Sequence, residues 1–240
     1  MSGCFDRLKE TFTGDYTPPG KDHADFLDDA KYDSLLVEID YADGFAPSQA
    51  ALDLLKQRMN ERLTKPGGIE VRLDDKISAT SPTRTIEQVA DLEDRHRDEK
   101  KGDGRAVLYV LYLDGNSDQD SGDSLVLGAA YSGSSVVMFQ ETIRAAAEDI
   151  PLLTTSATSI ERAVLVHELG HILGLVNNHL PMQRAHEDAA HETHSTNQNS
   201  VMFWAVERSN IRNFLNGGRT EPPTQFDSDD IADMRAAGGK

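Results

Sequence analysis

The pentapeptide His167-Glu168-Leu169-Gly170-His171 restricts this chain more than any other feature of its sequence. Residues i and i+4 of an α-helix lie one above the other on a single face. A helix here therefore aims two imidazoles at one point. Zn²⁺ takes such nitrogen ligands, and a catalytic zinc site needs three protein ligands and one open position. Glu168 then lies beside the first ligand, where a carboxylate serves as general base for a metal-activated water. The flanking residues predict a helix over 158–175. Thr158 and Glu161 have capping-box spacing, and Ile160, Val164, His167, His171 and Leu175 fall near one stripe. Gly174 can stop the helix, and Asn177 and Asn178 tolerate the turn that follows. The bland alternative is an amphipathic helix with two core histidines. It leaves two buried imidazoles in need of partners and an idle glutamate between them.

A third ligand has to come from elsewhere. The run His167-Glu168-x-x-His171-x-x-Gly174 resembles the start of the metzincin zinc-peptidase signature. In that family the third ligand lies three residues after the glycine. That place is Asn177 here, an uncharged and weak donor. Further on, residues 194–202 read His-Ser-Thr-Asn-Gln-Asn-Ser-Val-Met. Archaemetzincins, one metzincin branch, carry His-Cys-x4-Cys-x-Met. His194, Ser195, Ser200 and Met202 repeat that spacing with serine in both cysteine places. The chain is thus similar to an archaemetzincin-type site split by an insertion over 177–193.

The resemblance implies that His194 is the third ligand and that Met202, the Met-turn residue, forms an apolar floor under the metal. It implies one catalytic Zn²⁺ and a zinc-dependent peptidase, a metalloendopeptidase, with peptides or proteins as substrates. Archaemetzincins also use their cysteine pair, with a further Cys-x-x-Cys, for a structural zinc. Cys4 is the single cysteine of this chain, so no such four-cysteine site can form. Some metzincins place a tyrosine after the Met-turn; all six tyrosines here precede Met202.

The residues leave alternatives open. His179, His186, Glu187, Asp188, His191 and Glu192 all fall in the insertion. His191, three residues before His194, is the alternative third ligand, and Asp188 or Glu192 would make a carboxylate ligand. A non-catalytic or latent zinc-binding protein, its site closed by the histidine-rich insertion, is the rival function. The N-terminal segment with Asp22, His23 and Asp25 is another candidate cover for the cleft.

Composition narrows partners and place. A formal charge of −17 and a pI near 4.7 repel nucleic-acid phosphates. No stretch is long and apolar enough for a transmembrane segment. The single cysteine excludes an internal disulfide framework and is compatible with a cytoplasmic protein. The start Met1-Ser2-Gly3-Cys4 also fits a lipoprotein anchored through Cys4 after a signal peptide has been trimmed.

The expected fold class is α+β: a metzincin-like twisted mixed sheet with the active-site helix, Met-turn and C-terminal helices. Residues 1–30 read as a flexible tail and 31–240 as a metallopeptidase domain. Within it, 31–176 form the upper subdomain, 177–193 the insertion, and 194–240 the Met-turn and C-terminal helices. Leu35 to Tyr41 alternate as a half-buried strand, and 47–63 are helical between Pro47 and Pro66. Ile69 to Leu73 form a strand, 84–100 a charged helix, and Ala106 to Leu113 a central strand. Leu125–Tyr131 and Ser135–Phe139 form a hairpin, with the first as edge strand for an extended substrate. Residues 203–215 and 227–237 are helical. Asp114 to Asp120 alternate oxygen ligands like a calcium loop, which raises Ca²⁺ as a second ion. The EF-hand pattern breaks at Gln119 and Leu125.

Overall fold

A computed structural model describes residues 16–240 apart from 79–80, 123, 149–155, 209–210, 212–214 and 216–218. Its centre is a five-stranded sheet in the order β2-β1-β4-β7-β6. These strands are β1 (Ser34–Ala42), β2 (Gly68–Ile77), β4 (Arg105–Leu113), β6 (Gly128–Ser132) and β7 (Ser135–Phe139). The first four in spatial order run parallel, and β6 closes one edge antiparallel to β7. The short pairs β3 (Thr83–Arg84) with β5 (Asn116–Ser117) and β8 (Glu187–Asp188) with β9 (His191–Ser195) lie outside it.

Alternation along the strands sends side chains to two cores. Ala106, Leu108, Val110 and Tyr112 of β4 join Val136 and Met138 of β7 on one face. That face packs against α2 (Gln49–Arg62), α4 (Gln140–Glu148) and α5 (Ala157–Ile172). Tyr109, Leu111, Leu113, Val137 and Phe139 meet α3 (Ile86–His96) on the other. The central place of β4, covered on both faces, follows its unbroken apolar run.

Several sequence expectations need correction. Strand β1 is buried on both sides, although Leu36, Glu38 and Asp40 suggest a wet face. Glu38 accepts the backbone N–H groups of Asp98 and Glu99 at 2.7 and 2.9 Å. Asp40 accepts Asp75 N–H at 2.9 Å and the Tyr109 hydroxyl at 2.7 Å. Satisfied carboxylates can be buried where unpaired ones cannot. The tail does not extend to residue 30. In α1 (His23–Leu27), Phe26 and Leu27 sit in the main core, and Gly133 N–H donates to Thr17 O at 2.7 Å. Residues 1–15, with Cys4, lie outside the described residues. Helix α4 was not expected: Ile143 is its one large apolar residue, and the rest of its apolar content is Ala145 to Ala147.

The segment expected to be helical from 203 forms one 3₁₀ turn, Trp204–Val206. It then extends over 207–208, bridging Arg208 to Val126 and accepting Leu127 N–H at Glu207 O, 2.9 Å, whereas Ile211 and Leu215 further on are helical as expected. Two carboxylates of the proposed calcium segment, those of Asp114 and Asp120, are engaged by the protein itself. Asp114 binds Arg84 at 2.9 Å and Ser81 N–H at 3.3 Å. Asp120 takes Asn116 Nδ2 at 3.0 Å and Val126 N–H at 2.8 Å. Helix α6 (Ser228–Ala236) closes the chain, with a capping box between Asp227 and Asp230. Among the described residues no helix is long and apolar enough to cross a membrane.

Candidate metal centre

Helix α5 carries the pentapeptide, and three features set its position. Its N-cap is Ser156, whose hydroxyl accepts Ser159 N–H at 3.1 Å; the expected Thr158–Glu161 box does not form. Glu161 instead turns inward and accepts Ser48 N–H at 2.9 Å, tying α5 to the start of α2. The helix ends at Ile172, earlier than its stripe suggests, because Gly174 adopts φ +76° and Leu175 N–H returns to Gly170 O at 3.1 Å. Gly20 of the N-terminal segment packs directly on Gly174, and a side chain at either would collide with backbone.

The one-turn spacing brings His167 Nε2 and His171 Nε2 to 3.1 Å, both rings buried. The chain then leaves the helix, and Asn177 takes φ +62°, turns outward and donates to Glu187 Oε2 at 3.1 Å. The insertion returns as the β8–β9 hairpin, and β9 delivers His194 to the pair. Its ring centre lies 5.2 Å from that of His167 and 5.0 Å from that of His171. His191 turns away, its ring stacked 4.2 Å over Trp204 and its Nδ1 2.8 Å from Asp188 Oδ2. His179 is exposed, and His186 faces another part of the molecule.

One further residue joins the cluster, and the sequence reading missed it. Glu207 Oε2 lies 3.9 Å from Nε2 of both His167 and His171 and 3.5 Å from Nε2 of His194. One ligand atom from each of His167, His171, His194 and Glu207 can be chosen with all four within 4.8 Å of one another. The available signal was a lone acid after the run Phe203-Trp204-Ala205-Val206. Reading residues 203–215 as a helix hid it.

The protonation pattern suits a cation. His167 Nδ1 lies 2.6 Å from Val201 O and His194 Nδ1 lies 2.9 Å from Glu192 O. A carbonyl can only accept, so each Nδ1 carries hydrogen and each Nε2 keeps its lone pair for the cluster. Burial holds His167 down to about 4, with His194 adding to the effect. Burial, then His167 and His194, hold His171 well below its ordinary value. Glu207 offsets burial at His194 and raises it. Burial works against an ionised Glu207 too, but the imidazoles, His194 first, hold its carboxyl low. Lone pairs packed this closely repel unless a positive charge lies among them, and imidazole nitrogens with one carboxylate are a donor set for zinc.

Glu168 is fully buried beside the cluster. Its Oε2 accepts Ala130 N–H of the edge strand at 2.7 Å, and its Oε1 has no hydrogen-bond partner among the described residues. Burial, followed by the nearby Glu207 charge, pushes its carboxyl well above the ordinary range. Beneath the site, Met202 lies against Gly170, where any Cβ would overlap the sulfur.

No protein-family model matches the sequence, and no curated protein matches it. Solved structures do. The crystal structure of archaemetzincin from Methanopyrus kandleri aligns with 85% of this chain and 96% of its own, at 18% identity and TM-score 0.51. The chain has an archaemetzincin-like fold. A zinc-dependent peptidase from Methanocorpusculum labreanum aligns with 82% of this chain and 99% of its own, at 12% identity and TM-score 0.53. The likeness concerns the fold alone: a largely parallel sheet with one antiparallel edge and helix α5 packed on one face.

Proposed function

We propose that this protein is a zinc-dependent peptidase in which His167, His171 and His194 hold the metal and Glu168 is the general base. The observation that carries this reading is the convergence of three buried imidazoles, two with Nδ1 tied to a backbone carbonyl, beside a carboxylate with one free oxygen. Bound zinc supplies a Lewis acid that acidifies water and polarises a carbonyl oxygen. The residues of the chain do the rest. Glu168 Oε1 accepts a proton from the attacking water and returns it to the leaving amine. Ala130 N–H fixes the other oxygen of Glu168, so the base cannot rotate away from that task. The edge strand β6 offers an extended peptide a backbone to pair with.

A second reading rests on Glu207. A fourth protein ligand closes a tetrahedral zinc site and leaves no place for substrate. The same segment pairs with Val126 and Leu127, just ahead of the edge strand. A latent form of the enzyme, closed by residues 203–208 and not by the histidine-rich insertion or the N-terminal segment, fits that arrangement.

The test combines zinc analysis with peptide-library cleavage by the wild type, Glu168→Gln and Glu207→Gln. Zinc with cleavage that Glu168→Gln abolishes supports the peptidase. Cleavage that appears only in Glu207→Gln supports latency. Tightly bound zinc with no cleavage by any of the three overturns the enzymatic reading.

A further inference from the structure

Away from the metal centre, three buried polar atoms face one another without hydrogen-bond partners: His186 Nε2, Asp230 Oδ1 and Asp233 Oδ2. Nε2 lies 3.6 Å from the first carboxylate oxygen and 3.7 Å from the second. Both aspartates are fully buried, one turn apart on α6. Their other oxygens are engaged. Asp230 Oδ2 accepts the Ser200 hydroxyl at 2.6 Å and Asp227 N–H at 3.0 Å, and Asp233 Oδ1 accepts Gln183 N–H at 2.6 Å. Two carboxylates cannot stay charged in a dry site without a cation. The other charged groups of the packed elements are committed: Arg184 pairs with Asp229 at 2.6 Å, and Asp227 caps α6.

We propose that His186 is held as an imidazolium between Asp230 and Asp233, a cation supplied by the chain itself that ties the insertion to the C-terminal helix and positions the Met-turn. His186 Nδ1 lies 3.0 Å from Arg184 O, so that nitrogen carries hydrogen, and a second hydrogen on Nε2 points between the two carboxylates. From there the connection runs inward. Ser200 joins Asp230 to Met202, accepting Met202 N–H at 2.9 Å. Ser195 N–H donates to Met202 O at 2.8 Å, and Thr196 N–H to His186 O at 2.9 Å. His186 thus holds the Met202 turn through both its side chain and its backbone. Ser200 suits this role, since its hydroxyl donates to the Asp230 carboxylate. The Asp230 carboxylate, the first influence on His186, raises it to about 9, so it stays charged at neutral pH.

The proposal concerns charge and metal count, so it stands whether or not the protein cleaves peptides. Its test uses the full zinc-loaded chain. Isotope-edited NMR, with the His186 signal identified by its loss in His186→Gln, should show that ring titrating near pH 9, and earlier in Asp233→Asn. Metal analysis should find one zinc per chain. The sign for stability follows from the raised value: the contribution is complete below the ordinary 6.5 and is lost as pH rises through about 9. The midpoint of chemical unfolding should therefore fall between pH 7 and 9.5 in the wild type and stay flatter in His186→Gln. His186→Gln/Asp233→Asn, which also removes a facing charge, should recover part of what His186→Gln loses. If His186→Gln does not fold, the wild-type resonance assigned through its neighbours still decides. A His186 ring titrating at 6.5 or below, or a second metal displaced when His186 is replaced, would overturn the proposal.

Discussion

Gly170 lies between the two helical histidines, and its lack of a side chain is a packing requirement. A Cβ built there overlaps the Met202 sulfur and lies 3.2 Å from Phe226 Cε1. Met202 is fully buried, so its thioether has no solvent into which to move. Overpacking a core in this way costs about 1–3 kcal/mol. Alanine also gains about 1 kcal/mol of helix propensity over glycine. Gly170→Ala should therefore destabilise by about 0–2 kcal/mol. Met202→Ala opens a cavity and should cost about 2–5 kcal/mol. With the sulfur gone, the propensity gain is opposed only by the 3.2 Å approach to the edge of the Phe226 ring, and Gly170→Ala in that background should stabilise by up to about 1 kcal/mol. The informative quantity is the coupling in the double-mutant cycle, at least about 1 kcal/mol with a change of sign. Urea unfolding of the four proteins, with zinc present, measures it. Equal effects of Gly170→Ala in both backgrounds would refute the contact as the reason for the glycine.

Other expectations follow from the metal centre. Glu168→Gln should keep zinc and lose about 10²–10⁴-fold in turnover, as for other general bases; steady-state kinetics with a cleavable peptide checks this. His194→Ala should lose zinc affinity while His191→Ala, which alters the stack on Trp204 and the contact with Asp188, should not; competition with a chromogenic chelator separates them. Glu207→Gln should retain the three imidazole ligands and, in the cobalt-substituted protein, change the visible spectrum as an anionic donor is lost. The metal-free chain should lose stability on acidification. His167, lowered from 6.5 to about 4, binds fewer protons folded than unfolded, so its contribution is full above 6.5 and fades towards pH 4. That is worth at most about 3.5 kcal/mol at about 1.4 kcal/mol per pH unit, read from unfolding midpoints at stepped pH.

The readings that succeeded rest on short-range regularities. Two histidines four apart meet on one face of a helix, and most of the strands and helices upstream announced themselves by period and turn residues, Gln140–Glu148 excepted. His194 came from the resemblance of residues 194–202 to the archaemetzincin pattern, with His191 left as the alternative, and the fold brings the His194 ring to within about 5 Å of those of His167 and His171 across a seventeen-residue insertion. The misses have a different character. Ser156 outcompeted Thr158 as cap because Glu161 was drawn inward to Ser48, a partner far away in sequence. Acidic β1 looked half wet because the loop at Asp98 and Glu99, which supplies its donors, cannot be foreseen from alternation. Asp114 resembled a calcium ligand until Arg84 took its carboxylate.

Local pattern thus settled that a helix would aim His167 and His171 at one point, and that Gly174 would end it, since both follow from backbone geometry within a few residues. Glu207 among the imidazoles, His186 between two aspartates and Met202 against Gly170 arise from chain segments that meet only after folding. Their energies depend on burial and on which donors remain within reach, quantities that no stretch of sequence carries alone.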